Sequence, residues 1–515
     1  MGASPPPAAE WVFPFDHDHG RPPRELAALL GGKGANLAEM TTVLRLPVPP
    51  GFTITTGACR AFRSTGWPAG LDDEIDAAIA ALEGQMGRRF GDPHDPLLVS
   101  VRSGAEASMP GMLDTVLNLG LTEAGTVGLA TVSDSMFADE ARRRLVDLYT
   151  RVVGEPPPDE PRDQLREAIE AVFRSWEGAR ARSYRAKEGI ADDLGTAVNV
   201  QVMVFGNRDD RSGTGVAFTR NAATGDPTPY GDYLPRAQGE DVVAGSRATQ
   251  HLGDMARQLP DAHAELLDIL QRLETHYRDM CDTEFTVESG RLWMLQTRVG
   301  KRSPAAALRM AVDMVRQEGW RISEREAVMR VRPEQLDQLL VSTFEVDARD
   351  VLAVGLPASP GSATGAAYFD ADACVDAVDR GEQVILVRAE TSPEDVHGMQ
   401  VAEGVLTSRG GLVSHAAVVA RGWGIPAVVG ADTIEVGDRQ LVIGDRVVRE
   451  GEVISIDGST GEVVLGLVAT ETSATPADLE VLLRWADDIS GADSSPAART
   501  PAERVRAAHA AMPRR

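Results

Sequence analysis

The chain has 515 residues, enough for three or four domains of ~150 residues each. Hydrophobic residues make up 43% and charged residues 25%, the balance of an ordinary globular protein rather than a disordered or fibrous one. A formal net charge of -25 argues against nucleic-acid binding through a basic surface, so any phosphate site has to be a local cluster of cations in an acidic protein.

The start of the chain, through Pro7, is rich in Pro and Ala and reads as loose. It lacks the charged start and apolar core of a signal peptide, and no run reaches ~18 apolar residues, so neither export nor a membrane span is expected. "LGGKGANLAEMTTVLRLPVPPGFTITTGA" reads as a Gly-rich turn, a helix and a strand. "LLVSVRSGAEASMPGMLDTVLNLGL" is a short apolar strand running into a polar Gly/Pro loop. From about residue 111 to 196 helical periods alternate with polar turns, as in "ADEARRRLVDLYTRVVG", which suggests a helical insert. "GTAVNVQVMVFGN" and "SGTGVAFTRN" are β-rich, and "DTEFTVESGRLWMLQTRVGKR" gives two strands joined at Ser289-Gly290. Helices continue to about residue 338.

A boundary is expected at residues 339–352, followed by a unit of short strands: "EQVILVRA", "AEGVLTS", "IPAVVG" and "EVISID". Beyond about residue 470 the composition turns to Ala, Ser, Thr, Pro and Arg, reading as a loose tail with one short helix. Three cysteines (Cys59, Cys281, Cys374) are no disulfide framework, so a reducing cytoplasm is the expected compartment. There are no internal repeats.

Four places carry candidate chemistry. Lys33 in "GGKGAN" sits between glycines that permit close backbone approach, so it could serve a phosphate; without a GKS or GKT ending, a surface lysine competes. Arg102 ends an apolar strand, placed for a pocket or a structural ion pair. On the hairpin, Asp282 and Glu284 are two apart on one strand, and Gln296 and Arg298 repeat that spacing on the other. Two carboxylates, an amide oxygen and a guanidinium suit hydrated Mg²⁺ beside a polyphosphate; a salt-bridged solvent face is the alternative. In "RGGLVSHAAVVARGWG", Ser414 is a candidate N-cap, and His415 falls in the first turn of a buried helix. There the free N–H groups favour an anion and disfavour imidazolium, so the ring stays neutral and nucleophilic, fit to carry a phosphoryl group. The alternative is a histidine that merely packs at a helix end. His17 and His19 in "FDHDHG" lack a second ligand cluster for a metal. Gly213-Thr214-Gly215 is too short for a dinucleotide fingerprint, and no G-x-S-x-G appears.

Taken in order, "LGGKGANLAEM", "VSVRSGA…SMPGMLDTVLNLGL", "NVQVMVFGN", "SGTGVAFTRN", "AQGEDVVAG", "DTEFTVESGRLWMLQTR", "GLPASPG", "ETSPEDV" and "GGLVSHAAVVARG" resemble the pyruvate, phosphate dikinase family over residues 11–470. The resemblance implies an α/β multidomain fold. An ATP-grasp nucleotide-binding domain (11–110 and 197–340) would carry a helical insert (111–196), followed by a swivelling α/β phosphohistidine domain (353–468) and the tail (469–515). It implies His415 as phosphocarrier, with Lys33, Arg102 and Arg298 as phosphate-contacting cations. Glu284 and Gln296 would be the ATP/Mg²⁺ ligands, with Asp282 beside them, and Glu240 and Asp241 near the nucleoside. ATP, inorganic phosphate and Mg²⁺ are the implied small molecules, with neither nucleic acid nor membrane as a partner, and a homodimer is compatible with it.

Two departures stand out. The family usually has Thr, which can be a regulatory phosphorylation site, where this chain has Val413, so that switch is expected to be absent. Only 100 residues follow His415, whereas the family's β/α barrel, the pyruvate site, needs about 250. The expectation is therefore an ATP-dependent histidine-phosphorylating module whose phosphoryl group reaches pyruvate through a barrel in trans, or passes to another acceptor. A stand-alone small-molecule kinase and a non-catalytic ATP-binding scaffold are the competing readings. The segments "STFEVDARDV" and "LVATETSATPADL" are expected to act as hinges.

Overall fold

The structure is a computed structural model that describes residues 10–107, 109, 115–239, 241, 249–317, 322–337, 339, 342–344, 351–472, 477–491 and 499–512. Two units emerge, residues 1–213 with 284–298, and residues 214–283 with 299–515.

In the first unit, β1 (Val12–Pro14), β2 (Gly51–Ile54), β3 (Val99–Ala105), β4 (Thr115–Leu119) and β5 (Thr196–Val202) form an antiparallel sheet in the order β1-β2-β5-β3-β4. β5 is central and buried along its whole length; its alternating polar residues Asn199 and Gln201 are buried too, Asn199 Oδ1 accepting from Thr53 Oγ1 and Gln201 Nε2 donating to the Pro49 carbonyl. Helices Glu123–Val132, Ser135–Val153, Pro161–Ser175 and Ala179–Glu188 follow β4. Apolar residues of the second and third, such as Phe137, Leu145, Leu165 and Val172, share one core with Val99, Val101, Val198 and Val200 of the sheet. The helical stretch therefore starts after a sheet strand, because "TVLNL" buries four of its five residues.

The Gly-rich stretch expected as a turn lies inside a helix, α1 (Ala27–Ala38), that kinks at Gly31 (φ 67, ψ 161). A Cβ at Gly31 would lie 1.5 Å from the Gly104 carbonyl oxygen of β3, and one at Gly34 would lie 2.6 Å from Thr53 Oγ1. The glycines thus serve close packing of helix on sheet as well as a left-handed bend. Register pairs Arg102 with Asn199 and Gly104 with Ala197, fixing β3 beneath the helix that carries Lys33.

In the second unit, β7 (Tyr230–Pro235) lies between β6 (Gly213–Phe218) and β8 (Gln250–His251). β9 (Cys281–Glu288) and β10 (Arg291–Val299) are the expected hairpin; its turn residues Ser289 (φ 50) and Gly290 (φ 85) both have positive φ, as a tight two-residue turn requires. β9 passes from the second unit into the first after Thr283, so Glu284–Glu288 belong to the first unit.

Residues 351–465 build an eight-stranded sheet. Its strands are β11 (Val351–Val354), β12 (Leu356–Ser359), β13 (Ser362–Tyr368), β14 (Val384–Arg388), β15 (Gly404–Thr407), β16 (Ala427–Val429), β17 (Val453–Asp457) and β18 (Glu462–Leu465). The order is β11-β18-β17-β13-β14-β15-β16-β12, parallel from β13 to β16. Alternate residues enter opposite cores: Ile385, Val387 and Leu406 on one face, Val384, Leu386 and Val405 on the other. Both faces are covered, so these strands read as unbroken apolar runs.

Past residue 470 the structure departs from the expected loose tail with one helix. Helices Ala477–Ser490 and Pro501–Ala511 bury Leu482, Leu483 and Val505 against Leu308, Val312, Val328 and Val331 of the helices before the boundary. Apolar residues at helical spacing ("LEVLLRWA") drive this docking, and Thr500 with Glu503 forms a capping box at the second helix. Of the two segments expected as hinges, residues 345–350 and 473–476 lie outside the described residues; Ser342–Phe344 and Thr470–Thr472 pair as antiparallel strands. All three cysteines are free and buried, and among the described residues no helix is long and apolar enough to cross a membrane.

Gly31→Ala should destabilise the first unit by about 3 kcal/mol or more, through strain at positive φ and the Gly104 clash. Gly70→Ala, also at positive φ (82) but with nothing within 4 Å of its Cβ, should cost only about 1 kcal/mol. Urea unfolding of both variants checks the contrast; equal losses would mean that α1 does not depend on this approach.

Candidate functional site

The sequence residues converge in two places. In the first unit, β3 carries Arg102, β9 carries Glu284 and β10 carries Gln296 and Arg298. Lys33 lies two residues beyond the Gly31 bend. Arg102 Nη2 lies 3.3 Å from Glu284 Oε2, while Arg102 Nε is buried with no hydrogen-bond partner among the described residues. Burial pushes the Lys33 ammonium down to about 7, helped by the Arg102 and Arg298 charges and opposed by Glu284. Burial alone would raise the Glu284 carboxyl, but Arg102, Lys33 and Arg298 outweigh it and hold the group below its ordinary value. Three cations thus crowd one carboxylate. Their mutual repulsion would be relieved by a bound anion.

The hairpin is no solvent face. Phe285, Leu292, Trp293 and Met294 are buried, Glu284, Leu295, Gln296 and Arg298 are half-buried, and Asp282 is only 5% exposed. Asp282 falls in the second unit, where Cys281 and Arg421 feel its charge. Among the described residues no three His, Cys, Asp or Glu side chains come together as a metal cage. Glu284, held ionised, and the Gln296 amide oxygen are donors compatible with a hard cation such as Mg²⁺, which retains waters and shares phosphate oxygens. His17 and His19 have ring centroids 4.5 Å apart, tilted against Phe13, and serve as packing. Glu240 lies outside the described residues. Asp241 accepts the Gln238 N–H at 2.9 Å, closing a local turn in the second unit.

The second place is the start of α2 (His415–Trp423). Ser414 caps it, its Oγ accepting the Ala417 N–H at 3.5 Å, and Ala416, Ala417 and Ala420 pack into the sheet core. His415 Nδ1 lies 3.1 Å from Thr391 Oγ1. With Nδ1–H donating to that hydroxyl, Nε2 keeps a free lone pair. Burial lowers the ring's pKa; Asp395 pulls it up and Lys301 pushes it down. Asp395 itself accepts the Ser392 N–H at 2.8 Å and pairs with Arg388 at 3.1 Å. Sequence reasoning missed Thr391, Asp395 and Lys301. "ETSPEDV" carried a signal, since Ser followed three residues later by Asp is a capping box, which here does form.

Gly411 approaches a carboxylate. A Cβ on Gly411 would lie 2.1 Å from Asp232 Oδ2 of β7, which accepts the Val413 N–H at 3.3 Å. Burial raises the Asp232 carboxyl against the pull of that N–H.

The chain matches the family described as pyruvate phosphate dikinase, AMP/ATP-binding domain, over residues 27–80, 64–260 and 252–319. Residues 380–461 match the PEP-utilising enzyme, mobile domain. It is 45% identical to a pyruvate, phosphate dikinase from Clostridium symbiosum, over 93% of this chain and 60% of the relative. It is 46% identical to counterparts from Oryza sativa subsp. japonica and Rhizobium meliloti (strain 1021), over 96% of this chain and 62% of each. The chain spans about 60% of the length of these relatives, and that coverage gives no support to reading a barrel as lost.

The electrostatics make two predictions. Lys301→Gln should raise the titration midpoint of His415 and Asp395→Asn should lower it, read by NMR; because the folded ring titrates below the usual 6.5, its contribution to stability is present above that pH and lost as pH falls through the folded value. Arg298→Gln should raise Lys33 above about 7, seen as an upward shift in the pH profile of its acylation; an unmoved profile would show that the two cations do not share a site.

Proposed function

Since the chain belongs to the pyruvate, phosphate dikinase family, we propose that it is an ATP-dependent phosphotransferase that phosphorylates His415. The observation that carries the reading is a half-buried imidazole at a capped helix start, its pKa lowered by burial and its Nδ1 3.1 Å from Thr391 Oγ1. In the same chain, Lys33, Arg102 and Arg298 surround Glu284.

The residues divide the chemistry. The three cations hold and orient the polyphosphate, and bound anion restores full charge on Lys33. Glu284 and Gln296 would hold Mg²⁺, which supplies charge neutralisation for the phosphates. Thr391 keeps the proton on Nδ1, so Nε2 attacks the β-phosphorus; the bond to the α-phosphate oxygen breaks, AMP leaves, and a pyrophosphoryl group remains on His415. Inorganic phosphate then takes the terminal phosphoryl, releasing pyrophosphate and leaving phosphohistidine. The helix N-terminus stabilises the anion that His415 now carries.

The domain assignment proposed with this is ATP-grasp for 11–110 and 197–340, with 111–196 as its helical insert. Residues 353–468 are the swivelling phosphohistidine domain, a reading supported by the match to a mobile domain. The final acceptor is pyruvate, as the relatives' names indicate, reached through a barrel, in trans or otherwise. Glu240 and Asp241 belong to the nucleoside side.

ATP labelled at the β-phosphorus should leave label on the wild-type chain and none on His415→Ala. Glu284→Gln should cut the labelling rate by about 10²-fold or more with the fold retained. Thr391→Val should slow it by about tenfold without changing nucleotide affinity, because only the tautomer is affected. Label persisting on His415→Ala would overturn the assignment.

A further inference from the structure

Val413 lies two residues before His415. The sheet of residues 351–465 fills its two cores with its own side chains. Val413 does not join them. Its side chain is 5% exposed and packs with Phe218, Leu234, Met280, Ala306 and Met310, contributed by β6, β7, the lead-in to β9 and helix Pro304–Arg316. Among the described residues it is the one member of that cluster drawn from 351–472. The backbone is seated at the same point, with the Val413 N–H on Asp232 and Gly411 too close to that carboxylate to carry a Cβ.

We propose that Val413 is a positioning residue, an apolar anchor whose burial in this socket sets how much of the time the His415 loop is docked on β6, β7 and helix Pro304–Arg316. A hydroxyl in its place has the same shape but enters a socket of Phe, Leu, Ala and Met side chains, where burying it without a hydrogen bond is costly. Removing two methyl groups forfeits apolar burial outright. The loop's N–H to Asp232 is exposed whenever the anchor leaves, so the amides of this loop report the docked state. The consequence for phosphoryl transfer rests on the function proposed above: a chain with valine here keeps His415 longer on the docked side, and a chain with threonine releases it sooner.

Amide hydrogen exchange on the full chain without nucleotide tests the anchor by itself. Val413→Ala should speed exchange in residues 409–416 and in β7 by about tenfold or more, and the near-isosteric Val413→Thr should do so several-fold. The core strands β13–β15 should keep wild-type rates in both. With labelled ATP, both variants should lower the initial rate of His415 labelling while leaving nucleotide affinity unchanged. Local exchange within twofold of wild type in both variants would overturn the proposal. So would equal acceleration in β13–β15, which would make Val413 an ordinary core residue. Local acceleration without any labelling in the wild type would leave the anchor standing and remove the phosphocarrier reading instead.

Discussion

Three cations share one carboxylate in the first unit, and the rest of that unit is arranged to make the crowding tolerable. Lys33 reaches its position because α1 bends at Gly31 and lies directly on β3, an approach that any side chain at Gly31 would block. The sheet then delivers Arg102 at a fixed register, and the hairpin supplies Glu284 and Arg298. Desolvation makes this arrangement costly for charge, as the lowered lysine shows. A site in that condition gains from taking up an anion.

The second unit presents a half-buried histidine, His415, at a capped helix start. A serine cap and a run of small buried residues hold the helix start, burial lowers the His415 pKa, and its Nδ1 lies within hydrogen-bond reach of the Thr391 hydroxyl. The same helix start that disfavours a cation favours a bound anion. Asp395 opposes the lowering, and Arg388 and the capping box hold Asp395 in place.

Much of this was legible in the sequence. "LVSHAAVVARG" announces cap, histidine and buried face within about three helical turns, and the hairpin at Ser289-Gly290 follows from a turn that tolerates positive φ. Lys33 was readable as a phosphate cation, but its placement on a kinked helix was not, since Gly-Gly reads locally as a turn and only Gly104 across the sheet shows otherwise. The packed helices past residue 470 were hidden for a similar reason. Their apolar stripe is modest and sits among Ala, Ser and Pro, and its partners lie well over a hundred residues earlier in the chain. Thr391 and Asp395 were quoted within a motif yet carried no role, because their contact with His415 is purely tertiary. Glu240 falls outside the described residues, so its role rests on the resemblance alone.

If His415 takes its phosphoryl group from the β-phosphorus of the nucleotide, a single-turnover reaction of the wild-type chain with Mg²⁺-ATP, with nucleotide products separated and quantified, shows it most directly. AMP should form in an amount equal to the β-phosphorus bound to the histidine. ADP as the sole nucleotide product would contradict it.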